Sequence, residues 1–254
     1  MGKIISLANQ KGGVGKTTTA VSLAAAMGDL NKKVLLVDLD PQGNATSGVG
    51  IDKRQLNGSV YDALVKGENS KNFVKKTAYK NLAVLPSHIN LAAAELELID
   101  IQKREYALKR SLSHIQDYFD YIFIDCPPSL GLLTTNALSA SDSVIVPLQC
   151  EYYALEGLTQ LINTIRLIKR RYNKYLAIEG ILLTMYDKRL RLCQQVLREV
   201  KKYFPKQLFK TVIPRTVKLS EAPSFGEPII YYEKNSKGAK SYVELAEEIL
   251  IKNK

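Results

Sequence analysis

Residues 11–17 read Lys-Gly-Gly-Val-Gly-Lys-Thr, and this septet constrains the fold more than any other stretch of the chain. A glycine-rich turn lets successive backbone N–H groups close around phosphate oxygens. The lysine and hydroxyl that follow neutralise the phosphates and hold Mg²⁺. Such a loop needs a buried strand to deliver it and a helix to carry the chain away. The sequence supplies both. Residues 3–8 (Lys-Ile-Ile-Ser-Leu-Ala) are a strand candidate, and residues 17–28 open with three threonines and continue as a helical run of Ala, Val, Leu and Met. The ordinary pattern is G-x-x-x-x-G-K-[ST]. Gly15, Lys16 and Thr17 supply its end, but its first glycine falls on Gln10. Lys11 follows, adding a second cation within reach of a triphosphate.

Further apolar runs recur at residues 33–38, 82–86, 121–125, 143–147, 178–183 and 208–213. They are short, continuous and rich in β-branched residues, as strands buried on both faces of a parallel sheet are. Helical patterns lie between most of them, at 17–28, about 91–99, 104–117, 155–172, 190–203 and 239–252. This alternation predicts an α/β fold, a doubly wound, mostly parallel sheet with helices on both faces, in one domain over residues 1–254. Residues 52–80 are polar and uneven, and are expected to form a peripheral excursion.

Ligands of such folds bind at the carboxyl ends of the strands. The run at 34–37 leads into Asp38-Leu39-Asp40-Pro41-Gln42-Gly43-Asn44, and that at 121–124 into Asp125-Cys126-Pro127-Pro128-Ser129. An apolar strand ending in Asp is how phosphate-loop NTPases hold their metal, usually through water, which assigns Asp125 to Mg²⁺. Asp38 and Asp40 compete to position the attacking water. Asp38 follows its strand directly, as a structural residue would. Asp40 sits before Pro41 on a loop able to move, and is the preferred catalytic carboxylate.

The net charge of +11 is unevenly placed. Residues 1–165 hold 16 Lys+Arg and 16 Asp+Glu, whereas residues 166–254 hold 20 and 9. The whole excess lies in the last third, which points to a surface for a polyanion, either nucleic acid or an acidic membrane. No apolar run approaches the ~20 residues of a membrane helix, and no signal-peptide pattern is present at the start. Cys126, Cys150 and Cys193 are far apart and odd in number, which suits a reducing cytoplasm.

The motifs at 11–18, 38–44 and 125–131 closely resemble the ParA/MinD superfamily of deviant Walker-A ATPases. Glu151-Tyr152-Tyr153-Ala154-Leu155-Glu156-Gly157 and Leu219-Ser220-Glu221-Ala222-Pro223-Ser224-Phe225-Gly226 are similar to its chromosomal ParA/Soj branch. The resemblance spans about residues 2–250. It implies that ATP and ADP bind with Mg²⁺ at Lys11, Gly12, Gly13, Val14, Gly15, Lys16, Thr17 and Thr18. Lys16 would hold the β- and γ-phosphates, Thr17 would ligate Mg²⁺, with Asp125 reaching it through water, and Asp40 would orient water. Lys11 would reach the phosphates of a second ATP-bound subunit, and Gly12 would lie where the subunits meet. Pro214 would contact adenine.

The resemblance also implies a cytoplasmic, nucleoid-associated protein. Its ATP homodimer would bind double-stranded DNA without sequence preference, through Arg189, Lys218 and the neighbouring Arg215. Lys188, Arg191, Lys201, Lys202, Lys234 and Lys237 are candidates to widen the patch. A DNA-bound activator of ParB type would stimulate hydrolysis, in chromosome or plasmid partitioning and in control of replication initiation. A MinD-type membrane-recruited ATPase is the competing reading. It needs a basic amphipathic C-terminal helix, whereas residues 241–252 carry three glutamates. A nitrogenase-reductase-like electron carrier would need cysteines paired across a dimer interface, and Cys126 is read instead as a small packing residue.

Overall fold

The computed structural model describes residues 1–253. Its strands are β1 (Lys3–Leu7), β2 (Val34–Asp38), β3 (Lys75–Lys76), β4 (Leu82–Leu85), β5 (Tyr121–Asp125), β6 (Ser143–Gln149) and β7 (Ala177–Thr184). They form one sheet in the order β3-β4-β2-β5-β1-β6-β7. All neighbours run parallel except β3, which pairs antiparallel with β4 at the edge. The helices are α1 (Lys16–Asp29), α2 (Asn44–Gly48), α3 (Val60–Val65), α4 (Ala94–Glu97), α5 (Ala107–Ser113) and α6 (Leu132–Ala140), followed by α7 (Ala154–Arg171), α8 (Arg191–Tyr203), α9 (Val217–Glu221), α10 (Ile229–Tyr232) and α11 (Lys237–Lys252).

Successive side chains of a strand point to opposite faces, and the core divides accordingly. Leu36, Phe123, Ile145 and Leu182 pack with α1 and α11 on one face. Leu35, Ile122, Ile124 and Val146 pack with α5, α6 and α7 on the other. The apolar runs are therefore unbroken because both faces of the sheet are covered. β1 lies between β5 and β6, so the loop after it emerges at mid-sheet, beside the carboxyl ends of β2 and β5.

The run at 208–213 does not form the expected strand. It touches β7 at both ends, where Ile181 donates to the Gln207 carbonyl (2.7 Å) and Ile213 donates to that of Leu183 (2.9 Å). Between these points the N–H groups of Lys210 and Thr211 turn to the Glu248 carboxylate of α11, at 2.8 and 3.0 Å. An acid on the packed helix thus takes the donors that a sheet ladder would use. The helical patterns at 91–99 and 104–117 are likewise interrupted. Short 3₁₀ turns flank α4 and α5, and Lys103 between them takes a left-handed φ of 53°.

Helix α6 has no counterpart in the sequence pattern, because Thr134, Thr135, Asn136 and Ser139 obscure its apolar face. Asn136 is buried there by design of its partners. Its amide donates to the Leu132 carbonyl (3.0 Å) and accepts from the Leu108 N–H (3.1 Å). The segment 52–80 is more than a surface excursion, since it supplies α3, closed by a Ser59–Asp62 capping box, and the edge strand β3.

Helix α1 lies so close to the turn before β4 that a Cβ on Gly28 would fall 2.3 Å from the Lys80 carbonyl oxygen. Alanine is the better helix former by about 1 kcal/mol, yet Gly28→Ala is expected to destabilise the protein by about 1–3 kcal/mol through overpacking. Urea denaturation measures this directly, and a variant as stable as the parent would contradict it.

Candidate active site

The loop after β1 is shaped for an anion. Gly13 and Gly15 take left-handed φ values of 74° and 85°, where a side chain would be strained. Gly15 opens α1 without a side-chain cap, which leaves the first N–H groups of the helix free to meet phosphate. Two tethers fix the loop. Thr184, at the end of β7, donates its hydroxyl to the Val14 carbonyl at 2.8 Å. Asn9 donates to the Pro147 carbonyl at 2.7 Å and accepts the Lys11 N–H at 3.0 Å. Asn9 and Thr184 carry no motif, and sequence reasoning missed both.

Two cavities open on this loop. One, of about 360 Å³, lies against Gly12, Lys16, Thr17, Asp40, Gln42 and Asn44. The other, of about 370 Å³, lies against Thr184, Ile213, Pro214, Arg215, Leu219 and Tyr242. Gly15, Thr18 and Met185 border both. The first is polar and sized for phosphates. The second is more apolar and suits a base, and Pro214 stands on its wall. Met185, at the seam, holds a left-handed φ of 50°. Gln42, Asn44, Pro128 and Met185 were not foreseen as lining residues.

Lys16 is 6% exposed and donates its ammonium to the Lys11 carbonyl at 3.0 Å. Burial lowers its pKa, and the nearby Asp125 opposes that shift. Lys11 turns the other way. Its half-exposed ammonium pairs with Glu151, just past β6. Gly12 beside it has no heavy atom within 4 Å of where a Cβ would sit.

The three aspartates divide their roles. Asp38 accepts from the Thr46 N–H and hydroxyl, both at 2.7 Å, and from the Asp40 N–H at 3.2 Å. It is a structural acid that anchors the loop into α2. Asp40 accepts the Gln42 N–H at 2.9 Å and still lines the polar cavity. Asp125 pairs in register with Asp38 across β2 and β5. It is fully buried, and among the described residues neither carboxylate oxygen has a hydrogen-bond partner. Its pKa stands well above the usual carboxylate range, through burial first and the Asp38 charge second, with Thr17 and Lys16 acting in the opposite direction. A buried carboxylate with no donor, near the Thr17 hydroxyl, fits the water shell of a divalent cation.

Arg189, Arg215 and Lys218 are all exposed, on the segments that follow β7 and border the apolar cavity. Arg189 is held by Asp187, with Nη2 2.7 Å from the carboxylate. Lys218 is held by Glu221 at 2.9 Å. The alternatives fit less well. Cys126 is 1% exposed, so it cannot meet a cysteine of a second chain. Among the described residues no cluster of three metal-binding side chains occurs. Helix α11 buries Tyr242, Leu245, Ala246 and Ile249, and no described helix is long and apolar enough to cross a membrane.

A family model described as an AAA domain matches residues 2–178. The sporulation initiation inhibitor protein Soj of Bacillus subtilis is 58% identical over 249 residues, covering 98% of each chain. The chromosome partitioning protein ParA of Myxococcus xanthus is 52% identical, covering 98% of this chain and 88% of its own. The chain belongs to the ParA/Soj family of chromosome-partitioning ATPases. Among solved structures, that of a Mycobacterium smegmatis protein named cobyrinic acid a,c-diamide synthase, with bound ADP and magnesium, superposes with a TM-score of 0.87. It is 40% identical and covers 98% of this chain and 94% of that one. Membership in the ParA/Soj family fits both the order of the motifs and the position of the phosphate loop on β1.

Burial also pushes the Asp38 pKa up to about 6, against the lowering effect of its bonds to Thr46. The folded chain therefore keeps a proton that the unfolded chain releases near pH 4. Stability should fall as pH rises through that window, by about 3 kcal/mol from this group. Asp38→Asn should remove the slope, so that it gains on the parent between pH 4 and 7 in nucleotide-free urea titrations. A pH-independent difference would contradict the assignment.

Proposed function

We propose that this ParA/Soj ATPase couples ATP binding to dimerisation, and dimerisation to non-specific DNA binding. Its setting would be chromosome or plasmid partitioning in the cytoplasm, on the nucleoid, with a ParB-type activator and a role in replication-initiation control. The observation that carries this reading is the divergence of the two loop lysines. Lys16 is buried and bonded to its own loop. Lys11 is held on the rim by Glu151. A half-exposed ion pair of that kind contributes on the order of 1 kcal/mol or less, so a triphosphate presented by a second subunit can displace it. Charge delivered only on assembly makes nucleotide state and dimerisation one equilibrium.

Within the site, the N–H groups of Gly12–Thr18 and the Lys16 ammonium would bind the phosphates of ATP, and Pro214 would meet the adenine. Thr17 and, through water, Asp125 would hold Mg²⁺, which when bound offsets phosphate charge. Asp40 would orient water at the γ-phosphate. No arginine of the site motifs reaches this cavity, so intrinsic turnover is expected to be slow, with the activator raising it. Arg189, Arg215 and Lys218 would contact DNA phosphates, and two subunits would double that patch. Counterion release then makes the dimer bind far better than the monomer and weaken steeply with salt.

Light scattering with ATP and Mg²⁺ tests the assembly step. The parent should dimerise. Gly12→Val should bind ATP and stay monomeric, because its side chain is unopposed within one chain and can clash only with a partner. An ATP-dependent dimer of Gly12→Val would overturn the interface. Arg189→Ala should dimerise normally yet lose DNA affinity, and parental affinity at every salt concentration would move the DNA surface elsewhere.

A further inference from the structure

The loop that carries Asp40 is anchored unevenly. Asp38 fixes its far end through Thr46. The stretch 40–43 is closed mostly upon itself. Gln42 donates its N–H to the Asp40 carboxylate, and Gly43 donates its N–H to the Asp40 carbonyl, both at 2.9 Å. Such a turn keeps its own shape and hangs from the long bond that the Asp40 N–H donates to Asp38, at 3.2 Å. Among the described residues, one donor from beyond residues 38–47 reaches it. The Lys53 ammonium donates to the Gln42 carbonyl at 2.7 Å.

Lys53 comes from the polar segment after α2. It starts a 3₁₀ turn, Lys53–Gln55, in which the Arg54 N–H is capped by the Asp52 carboxylate. Its methylenes lie flat on Gly43, so closely that a Cβ on Gly43 would fall 2.5 Å from the Lys53 Cδ. Gly43 takes a left-handed φ of 63° there and is buried within a surface loop. Both the stem and the head of Lys53 therefore hold one peptide unit, the one between Gln42 and Gly43. Asp40, Gln42 and Asn44 all line the phosphate cavity. A cation that does not line the cavity thus braces one of its walls.

We propose that Lys53 is a positioning residue for ATP hydrolysis, clamping the Asp40 loop at the distance at which its carboxylate orients water. The inference rests on the reading of Asp40 as the catalytic carboxylate. A carboxylate that pivots by even 1 Å loses attack geometry, at a cost that reaches 10²-fold in rate. A hydrogen bond from an ammonium to a carbonyl is charge-assisted and suited to resist that pivot. Lys53 touches no reacting atom, so nucleotide affinity does not depend on it.

The test is steady-state phosphate release by the full chain with ATP and Mg²⁺, alongside thermal melts. Lys53→Met keeps the stem on Gly43 and removes only the donor. It should melt like the parent, lose kcat by roughly tenfold and keep its KM. Lys53→Arg, which restores a donor, should recover most of the loss. Adding Lys53→Met to Asp40→Ala should change nothing further. Parental kcat in Lys53→Met beside an inactive Asp40→Ala would overturn the clamp alone. A raised KM, or no rescue by arginine, would overturn it as well. Parental turnover in Asp40→Ala would remove the reading on which the clamp rests. If Lys53→Met fails to fold, Lys53→Leu, which also carries no donor, answers the same question.

Discussion

Two carboxylates lie side by side, both shut off from bulk solvent. Asp38 and Asp125 end neighbouring parallel strands in register, both fully buried. Like charges in such a place are costly unless each finds a partner. Asp38 finds Thr46 and thereby builds the loop that bears Asp40. Asp125 has no hydrogen-bond partner among the described residues. The sheet order places this acid beside Lys16 and Thr17, on the glycine-rich loop proposed to hold a phosphate and its cation. The nucleotide site is thus a consequence of where β1 sits, between β5 and β6, and of two acids that could not both be satisfied from within.

A second regularity concerns the cations. Of the residues proposed to act on something outside the chain, Lys11, Arg189 and Lys218 are each held here by a neighbouring acid, Glu151, Asp187 and Glu221. Exposed pairs of this kind are weak and fall to a polyanion that offers several phosphates at once. They keep the side chains oriented while leaving exchange open. The same arrangement tempers a chain whose charge excess is confined to its last third, and it sharpens the contrast between one subunit and two.

Much of this was legible in the sequence because it is local. The Gly13 and Gly15 turn, the apolar run ending in Asp125 and most of the strand–helix alternation are each written within a few consecutive residues, and appear where the pattern places them. What was not legible depends on distant partners. Residues 208–213 read as a strand on their own composition, and only Glu248, some forty positions on, diverts their N–H groups. Helix α6 is hidden by Asn136, whose burial makes sense only once Leu108 supplies a donor. Asn9, Thr184 and Lys53 act on the site through one or two hydrogen bonds to backbone groups, and no motif records such bonds. Lys11 was legible as a cation near phosphates, whereas its resting partner Glu151 was not.

The central claim is that nucleotide state gates DNA binding through assembly. It is tested most directly by measuring affinity for a random-sequence DNA duplex with ATP and with ADP, each at low and at physiological salt. The account predicts tight binding only with ATP, falling steeply as salt rises. Equal affinity with the two nucleotides, or ATP-dependent binding indifferent to salt, would contradict it.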